Sequence, residues 1–114
     1  MEFLALIYGS EDAWESLSDD ERQAAMERYM AFSTRDEVVG GAELESTGAA
    51  TTVRVRDGDR LVTDGPYAEV KEALGGYFIL ECDSIDEACR LAAEIPAAEH
   101  GAIEVRPVHM GEES

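Results

Sequence analysis

Two segments of this chain are apolar on both faces of an extended strand. Phe3–Tyr8 is a continuous apolar run that ends at Gly9, and Tyr77–Cys82 is a second run broken only by Glu81. Runs of this length and composition suit strands that are covered on both faces in the interior of a sheet. We therefore expect both segments to be central strands.

Capping signals predict two helices. Ser18 and Glu21 have the spacing of a capping box, and the helix that they begin should extend to about Phe32. Ser84 and Glu87 repeat the pattern before a second helix that Pro96 would stop. The side chains expected to face the core are Ala25, Met26, Tyr29 and Phe32 or Ser33 in the first helix, and Ile85, Ala88, Cys89, Ala92 and Ile95 in the second.

A β-hairpin is predicted in the middle of the chain. Thr51–Arg56 alternates between polar and apolar residues, Asp57-Gly58 suits a tight turn with positive φ angles, and Arg60–Thr63 returns antiparallel. Further strands are expected at Val38–Leu44 and Ala102–Val108. The order strand, helix, strand, hairpin, strand, helix, strand indicates an α+β fold: a ferredoxin-like split βαβ domain with an antiparallel sheet.

The predicted fold has a consequence for assembly. Both helices of such a domain lie on one face of the sheet and leave the other face open. Leu4, Leu6 and Tyr8 alternate with Phe3, Ala5 and Ile7, as Tyr77 and Ile79 alternate with Phe78 and Leu80. One set of each strand would then face water in a monomer, which is unfavourable for a contiguous apolar surface. We expect a homodimer that packs sheet to sheet.

The length and charge of the chain exclude several classes of protein. A chain of 114 residues fits one domain, expected over residues 1–110 with a tail at 111–114, and it buries enough surface to fold without a metal or disulfide. Its net charge of −17 makes nucleic acid and anionic membranes poor partners, because both are bound through Lys and Arg. Scattered carboxylates of this kind keep a protein soluble.

Several further motifs are missing from the sequence. Cys82 and Cys89 have neither the spacing nor the nearby histidines of a zinc or redox site, and we expect both to be reduced core residues. Glycine-rich nucleotide loops and zinc-hydrolase motifs are absent, so no cofactor is predicted. His100 and His109 are expected at the surface. The apolar N-terminal segment is too short for a signal peptide, which favours a cytoplasmic location.

The candidate functional site is the turn from Thr63 to Tyr67 with the charged segment after it. Asp64, Gly65, Pro66 and Tyr67 would contribute a carboxylate, a turn and a phenol, and Lys71 is the only lysine of the chain. Such groups can bind a small polar ligand or move a proton. The structural alternatives are that Pro66 opens a helical turn capped by Asp64 or Gly65, and that Lys71 forms an ordinary salt bridge with Glu69 or Glu72.

The segment Val62–Tyr77 closely resembles the signature of YCII-related proteins of the DGPF type. In that signature Asp-Gly-Pro-Phe is followed by Ala-Glu, Lys-Glu and Leu-Gly-Gly, and here Tyr67 replaces the usual Phe. The resemblance extends over nearly the whole chain. It includes Leu6–Tyr8, Ala50–Arg54, Ile95-Pro96 and Val105–Val108.

This resemblance implies a ferredoxin-like protomer in a dimeric α+β barrel. Bacterial members of the family often look genetically linked to extracytoplasmic-function sigma factors, which implies a possible regulatory partner. The broader group is similar to small enzymes with a suspected His-Asp pair whose histidine lies on the first helix. The predicted first helix, Asp19–Phe32, has no histidine, so only Asp64 remains of that pair.

Three functions of different classes follow. The first is a homodimer that binds a small molecule in a cleft near Asp64, with a possible regulatory role. The second is a cofactor-free enzyme in which Asp64 is the catalytic base and Tyr67 or Lys71 positions an oxygen of a small cyclic or phenolic substrate. The third is a dimer in which the turn is only structural.

Overall fold

The computed structural model describes residues 1–109, so the predicted tail at 111–114 lies outside the described residues. Six strands, three α-helices and two short 3-10 turns, at Thr47–Ala49 and Pro96–Glu99, make up this part of the chain. The strands and helices in order are β1 (Glu2–Gly9), α1 (Glu11–Glu15), α2 (Asp19–Ser33), β2 (Val38–Glu43), β3 (Thr51–Arg56), β4 (Asp59–Asp64), β5 (Ala73–Glu81), α3 (Ile85–Ala92) and β6 (Ala102–Pro107).

Four of the strands form an antiparallel sheet in the order β2-β5-β1-β6. This is the order of a ferredoxin-like α+β fold, and the predicted fold class is confirmed. The two apolar strands β1 and β5 are the central pair, with Phe3 opposite Leu80 and Ala5 opposite Phe78. They are central because only interior strands are flanked by a strand on each side and can bury so much apolar surface.

The hydrophobic core lies between one face of this sheet and the helices. Phe32 of α2 packs edge to face on Phe78, with ring centroids 4.9 Å apart. Helices α2 and α3 therefore lie on the same side of the sheet, as predicted. The buried core residues are Phe3, Ala5, Phe32, Leu80, Cys82, Ala88, Leu91, Ala92 and Ile95.

The opposite face of the sheet, called the open face here, consists of side chains that alternate with the core residues of β1 and β5. It comprises Leu4, Leu6, Tyr8, Tyr77 and Ile79. These side chains are half-buried by their neighbours in the sheet, and none belongs to the core cluster. Within residues 1–109, the helices that form the core pack on the other face. The homodimer that this surface suggests stays a prediction.

The helix starts are as predicted, but parts of the predicted core stripes are wrong. Ser18 and Glu21 form a complete capping box at α2, and the Ser84 hydroxyl accepts from the Glu87 N–H at α3. Met26 is 50% exposed, and Cys89 is exposed instead of buried. These two positions, like Ile85, lie on the flank of a helical stripe whose centre faces the sheet. In α3 that centre is Ala88, Leu91 and Ala92.

The predicted hairpin forms a separate two-stranded sheet from β3 and β4. Asp57 and Gly58 both have positive φ, 53° and 82°, as the predicted turn requires. The described chain is flat, with principal extents of 47 × 45 × 18 Å, and its radius of gyration is 16.2 Å. A compact domain of this length has a radius of about 13 Å. The hairpin therefore stands apart from the core.

Every helix in the described residues is too short or too polar to cross a lipid bilayer. Cys82 and Cys89 are both free thiols, and burial raises the pKa of the Cys82 thiol. Cys82 is therefore a poor nucleophile, since the reactive form is the thiolate.

Candidate functional site

The turn after β4 is anchored to the base of the hairpin. The Gly65 N–H donates to the carbonyl of Ala50 at 2.7 Å, and the Gly65 carbonyl accepts from the Thr52 hydroxyl at 2.8 Å. Gly65 has a φ of 103°, a region that residues with a Cβ rarely adopt. The glycine of the motif is thus required by the backbone conformation at this turn.

The helical turn predicted at Pro66 does not form. Residues 66–72 have bends but no helix, and they follow the positive φ at Gly65. Asp64 is the last residue of β4, opposite Thr51, and its carboxylate is exposed. No hydrogen bond or ion pair links this carboxylate to another residue in 1–109. The interpretation of Asp64 as a helix cap is therefore wrong.

Tyr67 is the most exposed large side chain of the candidate turn, at 80%. The guanidinium carbon of Arg54 lies 5.6 Å from the centre of its ring. A cation over an aromatic face is stabilised by the ring quadrupole, by about 0.5–1 kcal/mol at an exposed site. This contact places the tyrosine ring beside the hairpin strand β3.

Lys71 is exposed and lines a pocket of about 520 Å³, open to solvent, between the end of β1 and the segment that leads into β5. The predicted salt bridge with Glu69 or Glu72 is absent, since no carboxylate of the described chain lies within ion-pair distance of the Lys71 ammonium. The pocket is lined by Ser10, Glu11, Asp12, Thr47, Val70, Lys71, Glu72 and Ala73.

The structure therefore divides the candidate residues between two places. Asp64, Gly65, Pro66 and Tyr67 lie at the base of the hairpin, and Lys71 lines the pocket. Asp64 does not line this pocket. The sequence predicted one site because these residues are close together in the chain. The irregular path of residues 66–72 places Lys71 apart from the other four in space.

One wall of the pocket is a hydrogen-bonded pair that the sequence analysis missed. The Glu11 carboxylate accepts from the Thr47 N–H at 2.8 Å and from the Thr47 hydroxyl at 2.9 Å. Glu11 begins α1, whose N-cap Ser10 accepts from the Ala13 N–H at 3.2 Å. A serine followed by two acidic residues is a helix-start signal that could have located α1. The pairing with Thr47, 36 residues away, has no local signal.

The electrostatics of the pocket follow from this arrangement. Its lining carries the carboxylates of Glu11, Asp12 and Glu72 and the single ammonium of Lys71, together with the hydroxyls of Ser10 and Thr47. Both oxygens of Glu11 already accept hydrogen bonds, so this side chain is a fixed wall. Lys71 donates and does not accept, whereas Asp12 and Glu72 accept. The lining of the pocket thus presents both hydrogen-bond donors and acceptors.

The histidines of the chain do not complete a His-Asp pair in the described residues. Helix α2 contains no histidine, His100 and His109 are exposed, and neither forms a hydrogen bond with Asp64. Residues 1–109 also bring together no group of three His, Cys, Asp or Glu side chains that could hold a metal ion.

The comparison with known families agrees with the fold and covers both parts of the site. The model of the YCII-related domain matches residues 1–110. The chain belongs to the YCII-related family. This YCII-related chain is also similar to an uncharacterised protein of Rhizobium meliloti, with 36% identity over 115 residues. That alignment covers 95% of this chain and 92% of the relative. The resemblance seen in the sequence is therefore confirmed at the level of the family.

Proposed function

We propose that this YCII-related protein is a homodimer that binds a small polar molecule in the pocket around Lys71. The observation that carries the proposal is the position of that lysine. The only ammonium side chain of the chain lines a pocket of about 520 Å³ and forms no ion pair with a described carboxylate. Its donors are therefore free for a ligand. A volume of this size lies within the usual range of ligand sites, about 300–1,000 Å³.

The charges of the lining define the class of ligand. An acceptor oxygen, such as a carbonyl or hydroxyl, suits Lys71, while donor groups suit the carboxylates of Asp12 and Glu72. Three carboxylates against one ammonium give the pocket a negative balance, which disfavours multiply charged anions. We expect a neutral or cationic molecule with both kinds of group.

The homodimer is supported by the open face. Leu4, Leu6, Tyr77 and Ile79 form a contiguous apolar surface in the middle of the sheet. Two sheets that pack face to face bury such surfaces about 10 Å apart. The proposed dimer therefore places the helices outside and the open faces together.

Ligand binding is tested with Lys71→Met, which removes the ammonium group of Lys71 and does not enlarge the side chain. A set of small polar compounds is screened by thermal shift, and the affinity of each compound that stabilises the protein is measured by calorimetry for the native chain and for Lys71→Met. The matched control is Arg90→Met, which removes one exposed cation from α3 outside the pocket. We expect Lys71→Met to lose at least about tenfold in affinity, as for one charged hydrogen bond, and Arg90→Met to bind normally.

Equal binding by the native chain and both variants would place any ligand site elsewhere. The absence of any stabilising compound among neutral, cationic and anionic sets would contradict the proposal as a whole. Preferential stabilisation by multiply charged anions would contradict the ligand class.

A further inference from the structure

The segment that leads from the Gly65 turn to β5 has no hydrogen bond in its middle. Its residues 66–72 are all exposed, and neither their backbone nor their side chains form a hydrogen bond with residues 1–109. Backbone groups of this kind bond to water, and a segment built from them has low local stability. The contact of the Tyr67 ring with Arg54 lies at an exposed site and is weak. We call residues 66–72 the strap.

The first end of the strap is fixed to the wall formed by Glu11 and Thr47. The Ala50 N–H donates to the Thr47 carbonyl at 3.0 Å, and the Gly65 N–H donates to the Ala50 carbonyl at 2.7 Å. Because Thr47 also bonds to Glu11, a continuous series of hydrogen bonds joins this wall to the start of the strap. We call the four pocket residues outside the strap and β5 the fixed wall: Ser10, Glu11, Asp12 and Thr47.

The second end of the strap is fixed by the four-stranded sheet. Ala73 is buried and lies opposite Gly9 of β1, and the Gly75 carbonyl accepts from the Leu44 N–H at 2.9 Å. Gly9 directly precedes Ser10 of the fixed wall. Both ends of the strap are therefore attached to elements that also carry the fixed wall.

The strap supplies the other side of the pocket through Val70, Lys71 and Glu72. The Lys71 ammonium shares the pocket with Glu11 and Asp12 but lies beyond ion-pair distance of both carboxylates. Val70, an apolar residue, is 61% exposed. The strap and the fixed wall are thus held apart, and the pocket between them is open.

A bound molecule would bridge this opening. A molecule that accepts from Lys71 and donates to Asp12 contacts the strap and the fixed wall together. Both contacts form only when the strap is near the fixed wall, so the ligand shifts the strap toward that position by its differential affinity for the two arrangements. No hydrogen bond between the strap and residues 1–109 has to break for this movement.

We infer that the strap is a lid that closes over the pocket when a ligand binds, with Gly65 and Ala73 as its fixed ends. Closure brings Lys71 into contact with the bound molecule and places Val70 over it, which excludes water from the pocket. This inference rests on the ligand pocket of the proposed function and adds the movement that completes the site. It is independent of the homodimer.

Two measurements on the native chain, without any ligand, test whether the strap moves. Hydrogen exchange followed by NMR should show the amides of residues 67–72 exchanging at least about a hundredfold faster than those of Gly65 and Leu44, which are hydrogen-bonded. Lys71 is the only lysine, so a lysine-specific endopeptidase cuts the chain once, within the strap. We expect the folded chain to be cut at a rate that stays constant in urea below the unfolding transition, since only local opening is needed.

Closure is tested with paired cysteines, because a disulfide forms only when two Cα atoms come within about 7 Å of each other. Asp12→Cys with Lys71→Cys joins the fixed wall to the strap, in a Cys89→Ser background that removes the exposed native thiol and keeps the buried Cys82. The matched control pairs Lys71→Cys with Glu15→Cys, which is exposed on the same helix but does not line the pocket. We expect the first pair to oxidise at least about tenfold faster than the control pair. Circular dichroism and urea unfolding establish that the reduced variants fold as the native chain does.

The outcomes separate the lid from the ligand site. Strap amides that exchange as slowly as the Gly65 amide, or cleavage at Lys71 that requires global unfolding, overturn the lid. Oxidation of the pocket pair no faster than the control pair also overturns it, since the strap then does not reach the fixed wall. A loss of affinity in Lys71→Met together with a static strap leaves the binding proposal intact and overturns only the lid. A strap that moves and closes in a chain that binds none of the screened compounds overturns the binding proposal, and the role of the strap as a lid with it.

Discussion

The carboxylate of Glu11 accepts two hydrogen bonds from Thr47, one from its backbone N–H and one from its hydroxyl. This pair joins the start of α1 to the 3-10 turn before the hairpin, and it fixes one wall of the pocket that contains Lys71. The geometry of the pocket thus depends on a contact between residues that are far apart in the sequence.

Glu11→Ala should destabilise the chain by about 1–2 kcal/mol, since it removes two hydrogen bonds to a charged acceptor at a partly buried site. The free energy of unfolding in urea measures the effect. Asp12→Ala is the control, because Asp12 lines the same pocket but its carboxylate forms no hydrogen bond or ion pair with residues 1–109. An equal loss in both variants would show that the Glu11–Thr47 pair contributes nothing specific.

Gly65→Ala should cost about 1–3 kcal/mol, because its φ of 103° is unfavourable for any residue with a Cβ. The space around Gly65 is open, so the cost comes from the backbone and not from a clash. Gly75→Ala is the matched control, since its added Cβ also meets open space but its φ lies outside the positive region, although Gly75 stands at the bulge of β5. Urea unfolding that ranks Gly75→Ala as the more damaging change would contradict this account.

Asp64→Ala should change the free energy of unfolding by less than about 0.5 kcal/mol, as for an exposed side chain without a partner. A helix cap would have cost about 1 kcal/mol. A second substitution, Asp64→Asn, tests the hypothesis that Asp64 is a catalytic base. If a substrate is identified, Asp64→Asn should abolish turnover under that hypothesis, and full activity in a folded Asp64→Asn protein would exclude it.

The ion pair between Arg28 and Glu99 should contribute stability that depends on pH. Arg28 donates to both oxygens of Glu99, at 2.8 and 3.2 Å, and this contact lowers the pKa of the Glu99 carboxyl below its ordinary value of 4.5. A lowered pKa in the folded state means that the contribution is present above the unfolded value and is lost as pH falls through the folded one. The pair joins α2 to the 3-10 turn after α3.

Unfolding in urea between about pH 7 and about pH 3 measures this dependence. Glu99→Gln should be less stable than the native chain at neutral pH, and the difference should shrink as the pH falls below about 4.5. Glu45→Gln, at an exposed loop position, is the control for loss of one negative charge. A difference between the native chain and Glu99→Gln that grows with acid would contradict the sign of the effect.

The elements that the sequence predicted are those with local signals. The central strands follow from the apolar runs, the starts of α2 and α3 from Ser18 and Ser84, and the hairpin from Asp57-Gly58. In each case the signal is contained within a few neighbouring residues: an apolar run for the strands, a cap for the helices and a pair of positive φ angles for the turn. The element order then indicated the fold class and the side on which the helices lie.

The candidate site was predicted only in part. The sequence identified Gly65 and Lys71 as notable, and the structure gives each a reason: a positive φ for the glycine and a pocket for the lysine. It did not indicate that these residues lie in two different places. Glu11, Asp12 and Thr47 were missed, because a pocket wall is formed by residues that meet only after the chain has folded.

The sequence by itself therefore determined the central strands, the helix starts, the hairpin turn and the family resemblance. Only the tertiary structure decided that the hairpin stands apart, that Cys89 is exposed on the flank of α3, and that Lys71 shares a pocket with the Glu11–Thr47 pair. The physical reason is the separation along the sequence between the residues that interact. Caps, turns and apolar periodicity act between near neighbours, whereas burial and pocket geometry depend on how whole elements pack together.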